Sequence, residues 1–416
     1  MDITGGDACL VFYVVMRLLV IKNHCLSYRV SRCEFSFLTA IQCESSVISM
    51  GEEKAKIHEN LSLFQEDGQH AGLVGIARLA SNADVTDTGH LTEYRAIKVR
   101  SILNKSISKR GLPFGRSINP YRGCEFGCRY CFARYTHEFM ELRDPELFER
   151  LIFVKQNAAW LLQQDLRKLK SGEEIAMGTA TDPYQPIERR MCVTRSLLEV
   201  MAECRGLRLG IVTKSTLILR DIDLLKKFAR RNQLAIHLSI TTPDAKLARV
   251  LEPRAPRPDL RFKTVSSLRN EGLRAGILCC PIMPGINDTP AAFDAMAKRA
   301  KAAHASFLAA NPLFLKPCSK ETFLAFVHDN FPSLETSYQK RYEENAFVSK
   351  AYQKRVADLL ATVVMKYGLG GRRNNSLPDR QAYPVDTGPT QQSLWQEPAS
   401  LPQPVQRDVV KRRFSA

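Results

Sequence analysis

From about residue 115 onward, short runs of aliphatic and β-branched residues alternate with longer stretches of helical character. The runs that read as strands are Arg116–Asn119, Leu151–Val154, Ile175–Thr179, Leu207–Thr213, Ala235–Ile240, Ala275–Cys280 and Phe307–Ala310. The stretches that read as helices are Ala158–Leu169, Arg195–Glu203, Ile222–Arg230, Pro258–Glu271 and Pro290–Ala303. Strands that alternate with helices pair in parallel. The series therefore predicts an α/β fold with a full or partial (β/α) barrel, whose chemistry lies at the carboxyl ends of the strands.

Composition divides the chain into five segments. They are an atypical leader at 1–49, non-native or disordered, with translation expected to start at Met50; an N-terminal wrapping segment at 50–114; the core barrel at 115–315; C-terminal helices at 316–371; and a disordered tail at 372–416. The tail is rich in Pro, Gln and Ser, which bury too little apolar surface to fold. A weak membrane-surface anchor is the alternative for the leader.

The net charge of the chain is +17, and residues 101–371 carry +16 of it. A basic core suits an anionic partner such as nucleic acid or a phosphorylated substrate, and the alternative is a soluble protein with a basic surface. The longest apolar stretch, Cys9–Ile21, is short and interrupted by Arg17. We therefore expect a cytoplasmic protein with no stable membrane association.

The most specific motif is C-x3-C-x2-C at Cys124, Cys128 and Cys131. The chain has 12 cysteines, and one tight cluster in a chain of 416 residues favours metal ligation over disulfides. Three such thiolates suit a [4Fe–4S] cluster whose fourth iron stays open. Gly123 and Gly127 relax the backbone where it must curl. A zinc site with His137 as the fourth ligand, or a role without metal, are the alternatives.

With Tyr130 and Phe132 flanking its last cysteine, the motif resembles the radical S-adenosylmethionine (SAM) superfamily. Four further segments follow in the order found in its spore photoproduct lyase branch, whose members are often described as DNA repair photolyase-like: Gly210–Lys214, His237–Ile240, Leu251–Pro253 and Pro281–Ile282.

The resemblance implies a partial (β/α)6-type barrel with N-terminal and C-terminal extensions. It also implies a cluster that binds SAM, cleaves it reductively and abstracts a hydrogen atom from substrate. A flavodoxin- or ferredoxin-like protein would supply the electron. By position in the family, Lys214 and Ser239 hold SAM, and a strand-end ammonium and hydroxyl suit that role chemically.

Gly178 and Thr179 stand where many relatives have a Gly-Gly-Glu turn that receives the SAM amino group. We assign them to SAM binding, with Asp182 or Glu188 as the acidic contact; N-capping or surface ion pairs are the alternatives for both acids. Thr179 also replaces the hydrogen-donating cysteine of photoproduct lyases, so thymine-dimer reversal by that route is not expected.

Other residues have candidate roles near the site. Cys192 or the Cys279-Cys280 pair would serve as an alternative hydrogen donor, or else as small buried hydrophobes. An anion-attracting rim is predicted from Arg129, Arg134, Arg189, Arg190 and Arg195. Base stacking or solvent exclusion is predicted for Tyr130, Phe132, Tyr135 and Tyr184.

Three functional hypotheses follow from these observations. The first is a radical SAM enzyme acting on an unidentified substrate, with nucleic acid as the leading class. The second keeps the enzyme and changes the substrate to a peptide or a small metabolite. The third is a zinc-containing nucleic-acid-binding protein without catalysis.

Overall fold

The computed structural model describes residues 72–105, 114–169 and 173–370. These residues belong to the unit Asp67–Ala416, and the other unit of the chain, Met1–Glu66, lies outside the described residues. The expected leader at 1–49 and the expected tail at 372–416 also lie outside them.

The larger sheet of the described chain has the strand order β11-β10-β9-β8-β7-β4-β3. Its strands are β3 (Leu103–Lys105), β4 (Arg116–Ile118), β7 (Glu174–Met177), β8 (Arg208–Thr213), β9 (Gln233–Ser239), β10 (Ala275–Ile282) and β11 (Leu308–Pro312). From β4 to β11 every neighbouring pair is parallel, and β3 adds an antiparallel edge. Six parallel strands in an open sheet with helical crossovers form the predicted partial (β/α)6-type barrel.

The smaller sheet has the order β1-β2-β6-β5, with β1 at Asp84–Thr88, β2 at Glu93–Ile97, β5 at Tyr121–Arg122 and β6 at Leu151–Lys155. The strand predicted at Leu151–Val154 exists, but its place in the βα series was wrong. It pairs with β2 in parallel and with β5 antiparallel. A fully apolar run reads the same in either sheet, because periodicity does not reveal the partner strand.

The helices are α1 (Gly75–Ser81), α2 (Tyr135–Glu138), α3 (Leu147–Arg150), α4 (Ala158–Leu166), α5 (Glu188–Met191), α6 (Val193–Ala202), α7 (Ile222–Ala229), α8 (Ala245–Leu251), α9 (Pro258–Asn270), α10 (Pro290–Ala302), α11 (Pro317–Asn330), α12 (Glu335–Arg341) and α13 (Lys350–Tyr367). Short 3-10 turns lie at Phe132–Arg134, Thr216–Asp221 and Pro332–Leu334. Three long helices, α9, α10 and α11, begin with a proline, whose missing N–H costs nothing in a first turn.

The core lies between the parallel sheet and these helices. Ile175, Ile211, Ile236 and Ile277 are fully buried on four successive strands of the sheet. Burial on both faces explains why these strands read as almost continuous apolar runs. No helix within the described ranges is long and apolar enough to cross a membrane.

Candidate functional site

The cysteine motif forms a loop directly after β5, where the smaller sheet meets the carboxyl end of β4. Cys124 and Cys128 are buried and Cys131 is partly exposed, and all three are free thiols. The Cys124 amide donates a 2.9 Å hydrogen bond to the Phe148 carbonyl, and the Cys131 amide donates to the Cys128 carbonyl at 3.1 Å. The three sulfurs are close enough for the charge of one to affect the ionisation of the others.

The environment of these thiols fits an iron–sulfur cluster. Burial raises the pKa of all three, that of Cys128 to about 12, so each is neutral until a soft metal ionises it. The positive charges of Lys214 and Arg134 act in the opposite sense on Cys128 and Cys131 respectively. These cations would offset the negative charge that a thiolate-bound cluster carries. Over the described part of the chain, no group of three or more His, Cys, Asp and Glu side chains forms a site for a single metal ion.

Two glycines let the loop lie against its neighbours. Gly123 has φ +82° and Gly127 has φ +61°, both in the left-handed region. A Cβ on Gly123 would lie 2.8 Å from the Phe148 carbonyl oxygen, and one on Gly127 would collide with the carboxylate of Glu149. Both positions therefore need glycine for conformation and for space.

His137 packs beneath this loop and is committed to the protein interior. Its Nε2 lies 2.9 Å from the Leu151 carbonyl, and its ring packs against Phe148 and Phe153. Burial lowers the pKa of His137 to about 4, so the ring is neutral and Nε2–H donates to the carbonyl. This placement argues against His137 as the fourth ligand of the zinc alternative, because the ring and its Nε2–H are engaged with the protein interior.

The segment after β7 clamps the cysteine loop from the other side. The Thr181 hydroxyl donates a 2.6 Å hydrogen bond to the Gly123 carbonyl, and the Gln185 amide donates to the same oxygen at 3.3 Å. In return the Glu125 amide donates to Gln185 Oε1 at 3.0 Å, and Glu125 Oε1 accepts from the Ile187 amide. The sequence alone did not reveal these roles of Gln185 and Glu125. The pattern that could have indicated them is a Gln and a Glu among neighbours too apolar for an exposed loop, which predicts buried polar side chains with hydrogen-bond partners.

Gly178 and Thr179 form the turn that ends β7. Gly178 has φ +85°, and a Cβ there would collide with the Val212 carbonyl oxygen on β8. The Thr179 hydroxyl accepts a 3.2 Å hydrogen bond from the Asn119 side-chain NH2 group. The side-chain oxygen of Asn119 accepts from the Ala180 amide at 2.8 Å. The turn is thus fixed to the end of β4, at the same edge of the sheet as the cysteine loop.

Asp182 connects this turn to the end of β8. Its Oδ2 accepts a 2.7 Å hydrogen bond from the Lys214 amide, and its Oδ1 accepts from the Thr213 hydroxyl at 2.6 Å and the Tyr184 amide at 2.9 Å. The carboxylate is therefore fully used in positioning the backbone around Lys214.

The Lys214 ammonium makes no hydrogen bond or ion pair with any described residue. It lies 5.6 Å from the centroid of the Tyr130 ring, inside the cysteine loop. Burial disfavours the ammonium, but Cys128 as a thiolate and the Glu252 carboxylate outweigh that effect and raise the pKa of Lys214 above its usual range. Lys214 is thus a charged hydrogen-bond donor beside the thiols, and its ammonium has no acceptor among the described residues.

Ser239 is the last residue of β9 and is 4 % exposed. Its hydroxyl makes no hydrogen bond within the described residues, while its carbonyl accepts from Arg261 at 2.9 Å. Arg261 also pairs with the buried Glu252 at 2.5 Å. Glu252 accepts hydrogen bonds from the Tyr130 phenol and, at 2.8 Å, from the Thr241 hydroxyl. This network ties the cysteine loop to β9, a link that the sequence alone did not reveal.

Glu188 is buried and structural. It accepts hydrogen bonds from the Tyr121 phenol and from the Thr194 amide at 2.9 Å, and it pairs with Arg220 at 2.7 Å. Both carboxylate oxygens of Glu188 are therefore satisfied within the protein, which favours a structural role over the candidate contact to SAM.

Three of the five arginines of the predicted rim are engaged within the protein, whereas Arg129 is partly exposed and Arg189 is exposed. Arg195 pairs with Asp221 and Asp223, Arg190 pairs with Asp87, and Arg134 is buried beneath the cysteine loop. Two of the four candidate stacking rings are also inside the protein: Tyr130 and Tyr184 are 8 % and 0 % exposed, whereas Phe132 and Tyr135 are partly exposed.

The candidate hydrogen-donor cysteines lie in different surroundings. Cys279 is buried and its thiol donates to the Thr241 carbonyl at 3.5 Å, as a small buried residue does. Cys280 beside it is partly exposed on β10. Cys192 lies between α5 and α6, where Arg220 donates to its sulfur at 3.6 Å.

Comparison with known proteins identifies the family. The family model described as the radical SAM superfamily matches residues 118–300, which include all three cysteines of the loop, Lys214 and Ser239. The chain belongs to the radical SAM superfamily. A Methanocaldococcus jannaschii protein, described as uncharacterized, is 30 % identical over 193 residues, which are 46 % of this chain and 69 % of that protein.

Other relatives of this radical SAM protein are also described as uncharacterized. A Mycobacterium tuberculosis protein is 29 % identical over 315 residues, which are 76 % of this chain and 90 % of that protein. Among solved structures, spore photoproduct lyase complexed with dinucleoside spore photoproduct has a TM-score of 0.47 at 14 % identity, over 76 % of this chain and 92 % of that one. Streptococcus suis SuiB bound to S-adenosylmethionine has a TM-score of 0.38 at 14 % identity, over 60 % and 47 %. Both structural likenesses are too distant to add to the assignment.

Proposed function

We propose that this radical SAM protein holds a [4Fe–4S] cluster on Cys124, Cys128 and Cys131 and binds SAM at the adjoining strand ends. The observation that carries the proposal is the unpaired Lys214 ammonium beside the cysteine loop. When bound, the cluster and SAM supply reductive cleavage of the sulfonium and abstraction of a hydrogen atom from substrate.

The residues around the loop have distinct tasks in this proposal. Lys214 pairs with the SAM carboxylate, since an ammonium at a strand end makes strong charge-assisted hydrogen bonds. The free Ser239 hydroxyl donates to the ribose or the carboxylate, and the turn at Gly178 and Thr179 borders the amino group. Because Glu188 is used elsewhere and Asp182 holds backbone amides, no acidic contact to SAM is assigned.

A one-electron donor is required, because radical SAM enzymes need one. We assign this role to a flavodoxin- or ferredoxin-like protein. The proposed compartment is the cytoplasm, where such thiols stay reduced.

Nucleic acid is the substrate class that we propose. The net charge of +16 over residues 101–371 favours a polyanion. The reaction is assigned as a modification or lyase-type step that takes no hydrogen from residue 179, because the Thr179 hydroxyl is a poor hydrogen-atom donor. A peptide or a small metabolite is the outcome that the binding experiments below would reveal instead.

The role of Lys214 is tested by measuring SAM binding to the anaerobically reconstituted full chain by equilibrium dialysis. Lys214→Met is expected to raise the SAM Kd about tenfold or more, since it removes a charged hydrogen bond of about 1.5–3 kcal/mol. Ser239→Ala is expected to raise it about fivefold. Lys226→Met is the control, because Lys226 is an exposed residue of α7 paired with Glu271. An unchanged Kd for Lys214→Met with normal iron content would refute the assignment.

A further inference from the structure

Five aromatic rings form a continuous row that begins next to the last cluster cysteine. Their centroids are 5.5 Å apart for Tyr135 and Phe139, 6.4 Å for Phe132 and Tyr135, 5.0 Å for Phe132 and Phe314, and 5.3 Å for Phe314 and Phe347. We call these five residues the aromatic row. It draws on the loop after Cys131, α2 and two segments that precede α11 and α13, so the fold and not one helix brings the rings together.

The aromatic row is open to solvent. Phe139 is 60 % exposed, and each of the other four rings is partly exposed. The phenylalanines buried in the core, such as Phe153, Phe228 and Phe323, are at most 5 % exposed. An exposed run of large rings costs solubility and is retained at surfaces that bind a partner.

One cation lies directly on the row. Lys316 Nζ is 3.5 Å from the centroid of the Tyr135 ring, and it has no acidic partner among the described residues. A cation held on a ring face at this distance is available to a second, anionic group on its outer side.

Two further cations lie side by side on the smaller sheet. Arg122 on β5 is opposite Phe153 on β6, and Lys155 is two residues further along β6. Residues two apart on a strand share a face, so Arg122 and Lys155 are diagonal neighbours with Cα atoms about 7–8 Å apart. The charge of Arg122 lowers the pKa of Lys155 and of Tyr135, against a background of burial at both, so Arg122 is near both side chains.

These two cations have no carboxylate partner within the described ranges; Lys155 is buried and Arg122 is partly exposed. Lys155 is 5 % exposed, and the Arg122 Nε is enclosed with no hydrogen-bond partner. Neither side chain forms an ion pair with any residue of the described ranges. Unpaired buried charges are destabilising, so they are rare unless a ligand supplies the counter-charge.

The buried acids Glu93, on the smaller sheet, and Glu149, beside the cysteine loop, are both paired. Arg95 pairs with Glu93 at 2.5 Å, and Arg254 pairs with Glu149 at 2.8 Å. The missing acid beside Arg122 and Lys155 is therefore a local feature of this corner.

We propose that the aromatic row and the cations Arg122, Lys155 and Lys316 bind single-stranded nucleic acid. Bases stack on the rings, and phosphodiester groups occupy the positions of the absent carboxylates. The bound nucleic-acid strand then runs along the row to Phe132, the residue next to Cys131. This path delivers one nucleotide to the cluster. This proposal rests on the proposed function for the reaction centre, and it adds the route by which a nucleic-acid strand reaches that centre.

Rings and unpaired cations together favour this ligand over a peptide or a membrane. Single-strand sites combine base-stacking rings with cations that track the backbone. A membrane-binding surface would need a broader exposed apolar face than Phe139 provides. A peptide of ordinary composition does not supply phosphates at regular intervals.

The test is fluorescence anisotropy of labelled oligo(dT) and oligo(U) of about twelve nucleotides, a length within the usual span of such sites. The full chain is used after anaerobic reconstitution. Phe139→Ala is expected to weaken binding at least fivefold, consistent with loss of one stacked base. Trp160→Ala is the matched control, because Trp160 is an equally exposed ring (59 %) on α4 outside the row. The two oligonucleotides separate DNA from RNA preference.

The cations are tested by salt dependence. Arg122→Gln and Lys155→Gln are each expected to lower the slope of log Kd against log salt by about one, as for a lost phosphate contact. If the Arg122 or the Lys155 variant does not fold, Lys316→Gln, at a partly exposed position, takes its place in this test.

Three results would overturn the inference. They are equal affinity of Phe139→Ala and wild type, tighter binding of duplex than of single strands, and no oligonucleotide binding by a protein that still cleaves SAM. The last result leaves the proposed cluster and SAM chemistry intact and turns the substrate assignment to a peptide or a small metabolite. Oligonucleotide binding by a chain that never cleaves SAM would remove the proposed function and leave the binding surface.

Discussion

The carboxylate of Asp182 holds the backbone of Lys214 through a 2.7 Å hydrogen bond from the Lys214 amide. The Thr213 hydroxyl donates to the other oxygen at 2.6 Å. The loop after β7 is thereby fixed to the end of β8, and the point from which the Lys214 side chain extends is set. Asp182 is a positioning residue in this arrangement.

Asp182→Asn is expected to weaken SAM binding about tenfold while leaving iron content unchanged. The Asn side chain has one acceptor oxygen where Asp has two. Its NH2 group would therefore face an N–H or O–H group that donates to Asp182 in the wild type, and this mismatch would shift the end of β8. Equilibrium dialysis with SAM and an iron assay measure the two quantities.

Asp165→Asn is the matched control for that experiment. Asp165 Oδ2 also accepts backbone amides, from Ile102 at 2.8 Å and Leu103 at 3.0 Å, but it braces the start of β3. Loss of stability without loss of SAM affinity is expected there. Equal SAM affinity in both variants would show that Asp182 does not position Lys214.

Tyr130→Phe is expected to destabilise the fold by about 1–3 kcal/mol, because it removes the phenol that donates to the buried Glu252 carboxylate. Urea unfolding under anaerobic conditions measures the change. Tyr367→Phe is the control, since its phenol donates at 3.0 Å to Asp294 at the surface. A loss no larger than that of the control would mean that this hydrogen bond does not hold the loop.

His137 gives the fold a dependence on acid. Its folded pKa of about 4 lies below the ordinary histidine value of 6.5, so between these pH values the unfolded chain binds a proton that the native protein excludes. Stability from this group is present above pH 6.5 and is lost as the pH falls toward 4. The loss between pH 7 and pH 5 is about 2 kcal/mol.

His137→Gln is expected to reduce the change in unfolding free energy between pH 7 and pH 5 by that amount, as measured by urea titrations at the two pH values. His90→Gln, at an exposed position, should leave it unaltered. An unreduced pH dependence in His137→Gln would contradict the buried neutral imidazole.

Lys155 makes the stability of the fold depend on pH in the alkaline range. Burial, with a smaller effect of Arg122, lowers its pKa from 10.5 to about 7, so the fold penalises its ammonium. The penalty is full below pH 7 and disappears as the pH rises toward 10.5, which makes stability increase by about 2 kcal/mol between pH 7.5 and pH 9.5.

Lys155→Met is therefore expected to be more stable than wild type at pH 7.5 and to lack that increase. A buried lysine that lowers the stability of the fold at pH 7.5 fits a binding role. Thermal unfolding at both pH values measures it, with exposed Lys168→Met as the control. A less stable Lys155→Met at pH 7.5 would mean that the lysine has a stabilising partner.

The sequence predicted most barrel strands well because they carry dense apolar runs, as Leu209 and Ile211 show on β8. It did not predict β1 or β2. Asp84–Thr88 is polar and largely exposed, and it becomes a strand by pairing with β2 at the edge of the smaller sheet. Pairing of that kind depends on tertiary contacts that local composition does not record.

The candidate site divides in the same way. The spacing of Cys124, Cys128 and Cys131 is a local pattern and was visible in the chain. The link from Tyr130 to Glu252 spans 122 residues, so only the fold reveals it. The arginines looked alike in the sequence, yet Arg195 is paired and Arg122 is not, because the positions of the acids decide which cations stay free.

The central claim is that three thiolates of one loop hold an iron–sulfur cluster that cleaves SAM. The most direct measurement is 5′-deoxyadenosine formed from SAM by the anaerobically reconstituted, dithionite-reduced protein, together with its iron and sulfide content. Wild type and the control Cys192→Ala/Cys204→Ala are predicted to contain about four irons and four sulfides per chain and to form 5′-deoxyadenosine. The variant with Cys124, Cys128 and Cys131 replaced by Ala is predicted to lose both. Undiminished 5′-deoxyadenosine from that triple variant, or wild-type protein that binds zinc without iron and sulfide, would contradict the account.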